Sequence, residues 1–332
     1  MIDPDIGKGL PIWLPQGEKI KSLLQELIRS KLGGDYLFVD CPHVGQESLY
    51  RQSGHLAKYE NDMLPLAGGG YLKPMGCPHH IKAFQALQPQ LPARIAEFSR
   101  VYRNEQSGEL NGLLRCRSFI QDDGHIFARN EQVKEEIEKL ISLFASVYED
   151  LELAWECRLS LRDDQDGYIG SSHQWDEAEN ILRELLPDAR IGRGEAAFYG
   201  PKIDFIVRDR LEREWQVGTI QLDYNLPKRF NLGEDIVLIH RAICGSLERM
   251  IAILLESGLP AAIAPIQCAI LPVGDRNLAY AEKIQKSLEL RSVIIKEGHL
   301  SKRIKFAHKN LIPKIAIVGD KEEQSKKIQW RK

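Results

Sequence analysis

The pattern of strands and helices changes at Pro260–Pro265, and this change limits the chain to a fold with two parts. After this segment, predicted strands and helices alternate: strand Cys268–Pro272, helix Leu278–Leu288, strand Ser292–Ile295, helix Lys302–Asn310 and strand Lys314–Val318. Such alternation is typical of a small α/β domain. The earlier part predicts a mostly antiparallel sheet with added helices. We therefore expect an α+β chain with domains at 1–262 and 263–332.

The first part contains one well-marked antiparallel pair. Strands are predicted at Phe98–Asn104 and Arg115–Asp122, joined by the polar loop Glu105–Gly112, which is rich in Ser, Gly and Asn. The other strands predicted here are Tyr36–Val39, Ala154–Leu161, Ala197–Val207, Trp215–Asp223 and Val237–Ile239. The spacing of apolar residues predicts helices at Gly17–Leu32, Ile81–Leu87, Asn130–Leu151, Trp175–Leu186 and Ile243–Leu255.

Composition gives few constraints on function. The net charge of −2 is no sign of nucleic-acid binding, and the basic bias between Lys302 and Lys332 is explained by a solvated tail. Six cysteines are scattered without a CxxC pair, which argues against a disulfide framework and for a reducing compartment. The sequence shows neither a signal peptide nor a membrane-spanning run, so we expect a cytoplasmic protein without a membrane partner.

Three distant segments carry residues suited to one site: KPMGCPHH (Lys73–His80), Arg100–Phe127 and His240–Met250. Each includes a ligand for a borderline metal, namely Cys77, His125 and His240. One thiolate and two imidazoles with an open fourth position are typical of a functional zinc site. Their spacing is non-local and gives no signal of its own, since a lone histidine in a strand is usually a core or surface residue. Arginines beside the pair Asp122 and Asp123 suit a pocket for a polyphosphate and an ammonium group.

Seven segments, in this order, resemble the class II aminoacyl-tRNA synthetases, and most closely the threonyl-tRNA synthetases. They are PIWLPQG (Pro11–Gly17), SGH (Ser53–His55), KPMGCPHH, the RNE–RCRSFIQDD stretch, AFYGPKIDF (Ala197–Phe205), WQVGTIQLDYNLP (Trp215–Pro227) and IHRAICGSLER (Ile239–Arg249). The resemblance runs from about Gly7 to Lys332. It implies a catalytic domain on an antiparallel sheet, a C-terminal anticodon-binding α/β domain, and a homodimer formed through the first helix–strand element, with Pro42 facing the partner.

The resemblance implies a threonine–tRNA ligase, which activates L-threonine with ATP and transfers it to tRNA(Thr). Arg103 and Arg249 would be catalytic, with Arg103 bridging the threonine carboxylate and the α-phosphate. Phe119 would stack on adenine, with Arg249 on its other face. The implied ATP site comprises Arg103, Glu105, Arg115, Phe119, Gln216, Thr219, Ser246 and Arg249. The implied threonine site comprises Met75, Gln121, Asp123, Tyr199 and Gln216, with Lys202 and Gln221 as neighbours.

The implied cofactors are Mg²⁺ with ATP and one zinc ion on Cys77, His125 and His240. Threonine would chelate zinc through its amine and hydroxyl. Valine is nearly isosteric but has no hydroxyl, whereas serine has one and would be poorly rejected. Relatives usually carry an N-terminal editing domain, and this sequence starts almost at the catalytic domain. We therefore expect seryl-tRNA formation unless another protein edits in trans.

The sequence departs from the family at several positions. Gly76 stands where asparagine is usual, next to the zinc cysteine, and could alter the shape of the pocket. The other differences are Ser99 and Ser118 for glycine, Ile120 for threonine and Gly124 for alanine. The last domain stops at Ile328–Lys332, where relatives continue through another strand and helix. The shortened domain implies either that anticodon recognition is weak or that the domain is natural but minimal.

Three alternatives remain open. One is an adenylate-forming paralogue that loads a carrier protein or another non-tRNA acceptor. The second is a non-catalytic regulatory or RNA-binding paralogue, although the presence of Arg103, Arg249, Asp123 and all three metal ligands argues against it. The third is a relative specific for serine or proline. The Cys–His–His set weighs against proline, whereas serine remains a side substrate.

Overall fold

A computed structural model describes residues 1–165 and 167–331, which form two compact units. The first unit consists of Met1–Ile12, Ile28–Glu149 and Leu153–Ile253, and the second of Trp13–Leu27, Asp150–Glu152 and the chain from Leu254 on. Lys332, the last residue of the predicted basic tail, lies outside the described residues. The domain boundary between 262 and 263 stays a prediction.

The first unit is built on an eight-stranded sheet in the order β1-β5-β6-β11-β10-β9-β7-β8. The pairs β1–β5 and β7–β8 are parallel and the other five pairs are antiparallel, which confirms the predicted antiparallel sheet. Its strands are β1 Tyr36–Phe38, β5 Ala93–Tyr102, β6 Ser118–Arg129, β7 Trp155–Leu161, β8 Arg190–Arg193, β9 Lys202–Arg208, β10 Glu214–Asp223 and β11 Ile236–Ala242. A second, three-stranded sheet comprises β2 Val44–Gly45, β3 Leu64–Pro65 and β4 Tyr71–Leu72.

The α-helices of the described residues include all those predicted, with shifted ends. They are α1 Pro15–Leu32, α2 Glu47–Ser53, α3 His55–Tyr59, α4 Cys77–Leu87, α5 Val133–Asp150, α6 Ser172–Leu185, α7 Leu226–Arg229, α8 Leu247–Ser257, α9 Leu278–Ser287, α10 Leu300–Lys309 and α11 Asp320–Ser325. The longest helices of the first unit bury an apolar face, as their periodicity requires. In the part of the chain that is described, no helix is long and apolar enough to cross a membrane.

Two predicted elements start four or five residues later than expected. The helix predicted at Ile243–Leu255 begins at Leu247, because the N–H groups of Ile243 and Cys244 donate to Asp122 instead, at 2.8 and 3.3 Å. Gly245 follows in the left-handed region with a φ of +53°. The strand predicted from Ala197 begins at Lys202, because Ala197 pairs with Gly200 in a tight turn. Both turns lie at the edge of the candidate site.

Helix α4 is fixed firmly on the large sheet. The ring of Phe84 stacks on Phe127 of β6, with centroids 4.0 Å apart and planes 10° apart. Ile81 is fully buried in the same apolar cluster, which also includes Ile95 of β5. Burial of such side chains contributes on the order of 2 kcal/mol each. The first residue of this helix, Cys77, is therefore held rigidly over β6.

The second unit contains the predicted small α/β sheet, in the order β13-β12-β14-β15. Its strands are β12 Cys268–Pro272, β13 Ser292–Ile294, β14 Lys314–Val318 and β15 Trp330–Arg331. β12 pairs in parallel with both β13 and β14, which confirms the βαβ alternation read from the sequence. β15 adds a short antiparallel edge that the sequence did not predict.

Candidate active site

One cavity of about 340 Å³ in the first unit is lined by all fifteen side chains predicted for the metal, ATP and threonine sites. The predicted residues come from strands β6, β10 and β11, from helices α4 and α8, and from loops, one of which follows β5. The sheet topology brings together segments that are more than a hundred residues apart. The individual roles of these residues stay predictions.

The three predicted metal ligands meet at one end of this cavity. His125 on β6 and His240 on β11 are direct register partners on adjacent antiparallel strands, which places their side chains side by side on one face. Cys77 lies over them at the start of α4. The Cys77 sulfur and one imidazole nitrogen of each histidine lie within 4.8 Å of one another, and all three residues are buried.

The hydrogen bonds of this group fit a cation. His240 Nε2 lies 3.0 Å from Asp223 Oδ2, and an ionised carboxylate only accepts, so this nitrogen carries the proton. The bare Nδ1 of His240 then faces His125 Nε2 at 3.0 Å. Two nitrogens bound to one tetrahedral zinc ion are about 3.3 Å apart. A carboxylate behind a histidine ligand is also the usual outer support of such a site.

Burial disfavours the charged forms of His125 and Cys77 when no cation is bound. It lowers the pKa of His125 far below its usual range, and the neighbouring His240 and His80 lower it further. Burial also raises the pKa of the Cys77 thiol, assisted by the negative charges of Asp123 and Asp223. A bound zinc ion would reverse this preference, because its charge deprotonates a coordinating thiol. A thiolate and two imidazoles then form a donor set that zinc prefers.

His55 is a neighbour of this group to which sequence reasoning assigned no role. Its Nε2 lies 3.4 Å from Cys77 Sγ, and its Nδ1 lies 2.8 Å from Ser53 Oγ. Burial lowers the pKa of His55 to about 4, so that the ring stays neutral. The SGH segment marked the position, but a single histidine carries no sign of which residue it contacts.

Three arginines gather at the other end of the cavity: Arg103, Arg115 and Arg249. Burial lowers the pKa of Arg249, and the positive charges of Arg103 and Arg115 lower it further. Glu105 pairs with Arg115, with oxygen and nitrogen 2.7 Å apart. Since like charges held together repel each other, a polyphosphate would relieve this repulsion.

The residue beside the Phe119 ring is Arg103, whereas Arg249 makes hydrogen bonds to other groups. The guanidinium carbon of Arg103 lies 5.1 Å from the centroid of the Phe119 ring. Arg249 instead donates from Nε to Leu114 O at 3.0 Å, and its backbone N–H donates to Ser246 Oγ at 3.2 Å. The stacking of adenine between Phe119 and Arg249 therefore stays a prediction, with both side chains on the cavity wall.

The two neighbouring acidic residues of β6, Asp122 and Asp123, point to opposite sides of the sheet and have different roles. Asp122 points away from the cavity and pairs with the buried Arg241 at 2.5 Å, so it holds the turn before α8. Asp123 lines the cavity, and burial raises its pKa. Successive strand residues face opposite sides, which explains the division. Only Asp123 is therefore placed to accept from an ammonium or hydroxyl group.

Polar groups on the wall near Asp123 remain available to a ligand. Gln121 Oε1 is buried and has no hydrogen-bond partner among the described residues. A buried acceptor of this kind usually receives a donor when the site is filled. Tyr199 donates from its hydroxyl to Gln221 Oε1 at 2.6 Å. Gln121, Tyr199 and Met75 all line the cavity, and their part in binding threonine stays a prediction.

Asp204 organises a further part of the wall and was missed from the sequence. It is fully buried on β9. One carboxylate oxygen accepts from Gln216 Nε2 at 2.6 Å and Thr219 Oγ1 at 3.2 Å. The other accepts from Lys202 Nζ at 2.6 Å and Ser160 Oγ at 2.7 Å. Asp204 lies inside the AFYGPKIDF segment, but only the tertiary contacts show its central position.

Two family models match the chain in succession. Residues 68–258 match the tRNA synthetase class II core domain (G, H, P, S and T). Residues 267–332 match an anticodon binding domain. The first match alone covers more than half of the chain, and it contains all fifteen predicted site residues. The large sheet and the small α/β sheet correspond to these two matches.

Curated relatives of similar sequence are threonine–tRNA ligases. The protein from Synechocystis sp. is 42% identical, over 99% of this chain and 60% of the relative. The protein from Bacteroides thetaiotaomicron is 42% identical, over 100% of this chain and 56% of the relative. The chain thus spans somewhat less than two thirds of the length of these curated relatives.

A solved structure agrees in fold as well as in sequence. The RNA binding domain of threonyl-tRNA synthetase from Cryptosporidium parvum superimposes with a TM-score of 0.84 and 34% identity, over 100% of this chain and 89% of that one. The superposition, the two matched domains and the level of identity all point to one family. The chain therefore belongs to the class II aminoacyl-tRNA synthetases, in the family of the threonyl-tRNA synthetases.

Proposed function

We propose that this chain is a threonine–tRNA ligase, which forms threonyl-adenylate from L-threonine and ATP and transfers the threonyl group to tRNA(Thr). One observation carries the proposal: a single cavity joins a buried Cys–His–His cluster at one end to three arginines at the other. The first end suits an amino acid with a chelating hydroxyl and the second suits a triphosphate. Mg²⁺ would enter with ATP, since phosphate oxygens are its usual ligands.

The chemistry that we propose needs no covalent enzyme nucleophile. The threonine carboxylate attacks the α-phosphate and pyrophosphate leaves. Arg103 would hold the carboxylate and the α-phosphate together, and Arg115 and Arg249 would stabilise negative charge on the phosphates. Asp123 and Gln121 would accept from the amine and hydroxyl of threonine. The rate would come from positioning and from charge stabilisation.

We propose that Cys77, His125 and His240 hold zinc. When bound, zinc would supply an open Lewis-acid position for the amine and hydroxyl of threonine. Valine cannot fill this position with a hydroxyl, and a site that requires a polar contact rejects the analogue that lacks it. Serine offers both groups and is smaller, so the zinc site would reject it only weakly. We therefore expect seryl-tRNA to form, unless a separate editing protein hydrolyses it in trans.

The proposal also includes the expected assembly and compartment. We infer a homodimer formed through α1 and β1, with Pro42 at the interface, because the resemblance to the family runs from about Gly7 on and so includes this region. We infer a reducing compartment such as the cytoplasm, since the six cysteines are all free thiols. The small basic domain would bind the anticodon arm of the tRNA.

Amino-acid-dependent ATP–pyrophosphate exchange tests the proposal, with threonine, serine and valine compared on one preparation with zinc present. We expect strong exchange with threonine, weaker exchange with serine and none with valine. Arg103→Gln should lower exchange about 10²- to 10³-fold, as expected when one preorganised charged donor is removed. Arg100→Gln is the matched control, because Arg100 contacts Ser118 and does not line the cavity. Absence of exchange with all three amino acids would refute the ligase.

A further inference from the structure

We propose that His80, Glu97 and Lys73 are positioning residues, which form a buried hydrogen-bond chain that fixes the tautomer of His125 and turns its Nε2 lone pair toward zinc. This inference rests on the zinc site proposed above. None of these three side chains lines the cavity, and sequence reasoning assigned them no role. We refer to them as the support chain.

The support chain is continuous and is sealed from solvent. His125 Nδ1 lies 2.8 Å from His80 Nδ1, and His80 Nε2 lies 3.3 Å from Glu97 Oε2. Lys73 Nζ lies 3.0 and 3.1 Å from the two oxygens of Glu97. Lys73 and His80 are 0% exposed and Glu97 is 5% exposed. Water therefore does not compete for these hydrogen bonds.

The chemistry of the partners decides where each proton lies. Glu97 is ionised and only accepts, so the facing Nε2 of His80 carries the proton, and in the tautomer with this single proton Nδ1 accepts. His125 Nδ1 must then be the donor in the contact with His80. The other ring nitrogen of His125, Nε2, keeps its lone pair and faces the bare Nδ1 of His240 at 3.0 Å. Both imidazoles thus present lone pairs to the same point.

Three groups keep the end of the support chain negative. Burial alone would raise the pKa of Glu97, but hydrogen bonds from His80 and from the Cys41 N–H, together with the Lys73 ammonium, lower it to about 2. Lys73 also donates to the Cys41 carbonyl at 3.2 Å. Cys41, His80 and Glu97 themselves lie within 4.8 Å of one another. The ammonium group of Lys73 already supplies the positive charge there, so a second metal is not required.

A purely structural role does not explain this arrangement well. A buried ion pair has a large desolvation cost, and apolar residues of the same size are often as stable. The support chain instead connects a fixed charge to one nitrogen of a metal ligand. Outer partners of this kind typically change metal affinity about 10- to 100-fold.

Glu97→Gln tests the direction in which hydrogen bonds are donated along the support chain. The glutamine oxygen should take the Oε1 position, which accepts from the Cys41 N–H at 2.8 Å and from Lys73. The amide NH₂ then faces His80 Nε2 and donates to it. His80 Nδ1 becomes a donor, His125 Nδ1 becomes an acceptor, and a proton occupies the His125 nitrogen that zinc needs. We expect zinc affinity to fall about 10- to 100-fold, measured by competition with a chromophoric chelator.

The controls separate positioning from folding. His79→Gln changes a neighbouring histidine of α4 that contacts Val44 O, and it should leave zinc affinity unchanged. His80→Leu should lower affinity by itself, and Glu97→Gln should add nothing in that background, because the support chain is already broken. Unfolding of the metal-free proteins in urea and the absorption spectrum of the Co²⁺ forms provide readouts that do not depend on activity.

Each outcome is decisive. A fall in affinity for Glu97→Gln that disappears in the His80→Leu background supports the inference. Unchanged affinity in Glu97→Gln, or an equal fall in both backgrounds, overturns it while the zinc site stands. If the wild-type chain binds no zinc, the proposed zinc site and this inference fail together.

Discussion

At the scale of single residues, Gly76 makes room for the carboxylate of Asp123. A Cβ atom at position 76 would lie 2.3 Å from Asp123 Oδ2 and 3.3 Å from Ser99 Oγ. The backbone of Gly76 has φ −84° and ψ −19°, which any residue adopts. Glycine is therefore needed here for space and not for its backbone conformation. The asparagine that is usual at this position would bring a Cβ atom against Asp123.

We expect Gly76→Ala to displace Asp123 and to lower kcat/KM for threonine-dependent exchange about 10-fold or more, since small shifts of positioning groups strongly affect rates. Gly68→Ala is the matched control, because no atom lies within 4 Å of the added methyl group there. Steady-state exchange kinetics and thermal unfolding of both variants check this. Equal kinetics for the two variants would show that the position of Asp123 is not critical.

At the scale of elements, a β-bulge in β10 builds one wall of the cavity. The register with β9 shifts between Gln216 and Gly218. In a regular strand, residues three apart point to opposite faces. The extra residue lets Gln216 and Thr219 both donate to Asp204 across the strand pair. The bulge therefore decides which side chains enter the site.

Asp204→Asn should loosen this wall. An asparagine has the same size but places an NH₂ group against donors that the carboxylate now accepts from, so at least one pair of hydrogen bonds is broken. We expect kcat/KM for exchange to fall about 10- to 100-fold while zinc content stays unchanged. Asp209→Asn is the control, because Asp209 is a buried aspartate that accepts from Arg213 and Trp215 in the hairpin loop. A similar decrease of activity in both variants would contradict the role of Asp204.

The same wall shows what could and could not be predicted from the sequence. The strand at Trp215–Asp223 and its polar positions followed from alternation, which depends on local burial. The bulge did not, because it depends on pairing with β9, and Asp204 was missed for the same reason. The convergence of Cys77, His125 and His240 came from the resemblance alone. The support chain needed coordinates, since a buried lysine and glutamate look like surface residues in a sequence.

At the scale of the whole molecule, charge is distributed unevenly along the chain. Residues 263–332 contain fifteen Lys or Arg and seven Asp or Glu, a formal charge of +8, whereas the whole chain has −2. The small net charge of the whole chain therefore conceals a basic C-terminal domain. A solvated tail explains only part of this excess of lysine and arginine. Within that domain, α10 packs Ala307 and Ile304 into an apolar cluster. Its opposite face exposes Lys302, Lys305, Phe306 and Lys309.

This face of α10 has the properties of a surface that binds single-stranded nucleic acid. Lysines can pair with phosphates, and Phe306, 50% exposed between them, offers a ring on which a base can stack. We expect Lys305→Glu with Lys309→Glu to raise KM for tRNA in aminoacylation and to leave ATP–pyrophosphate exchange unchanged. The slope of log KM against log salt should fall by about one for each phosphate that the variant no longer neutralises.

Lys283→Glu with Lys286→Glu is the matched control, because it makes the same change in net charge on the exposed face of α9. Long-range attraction of tRNA by net charge alone would make both pairs of substitutions equally harmful. Direct binding through α10 would make only the first pair harmful, and Phe306→Ala should then add to its effect, since stacking of one base contributes about 1–3 kcal/mol. Equal effects of the two pairs would refute direct binding and leave only steering by the field of the domain.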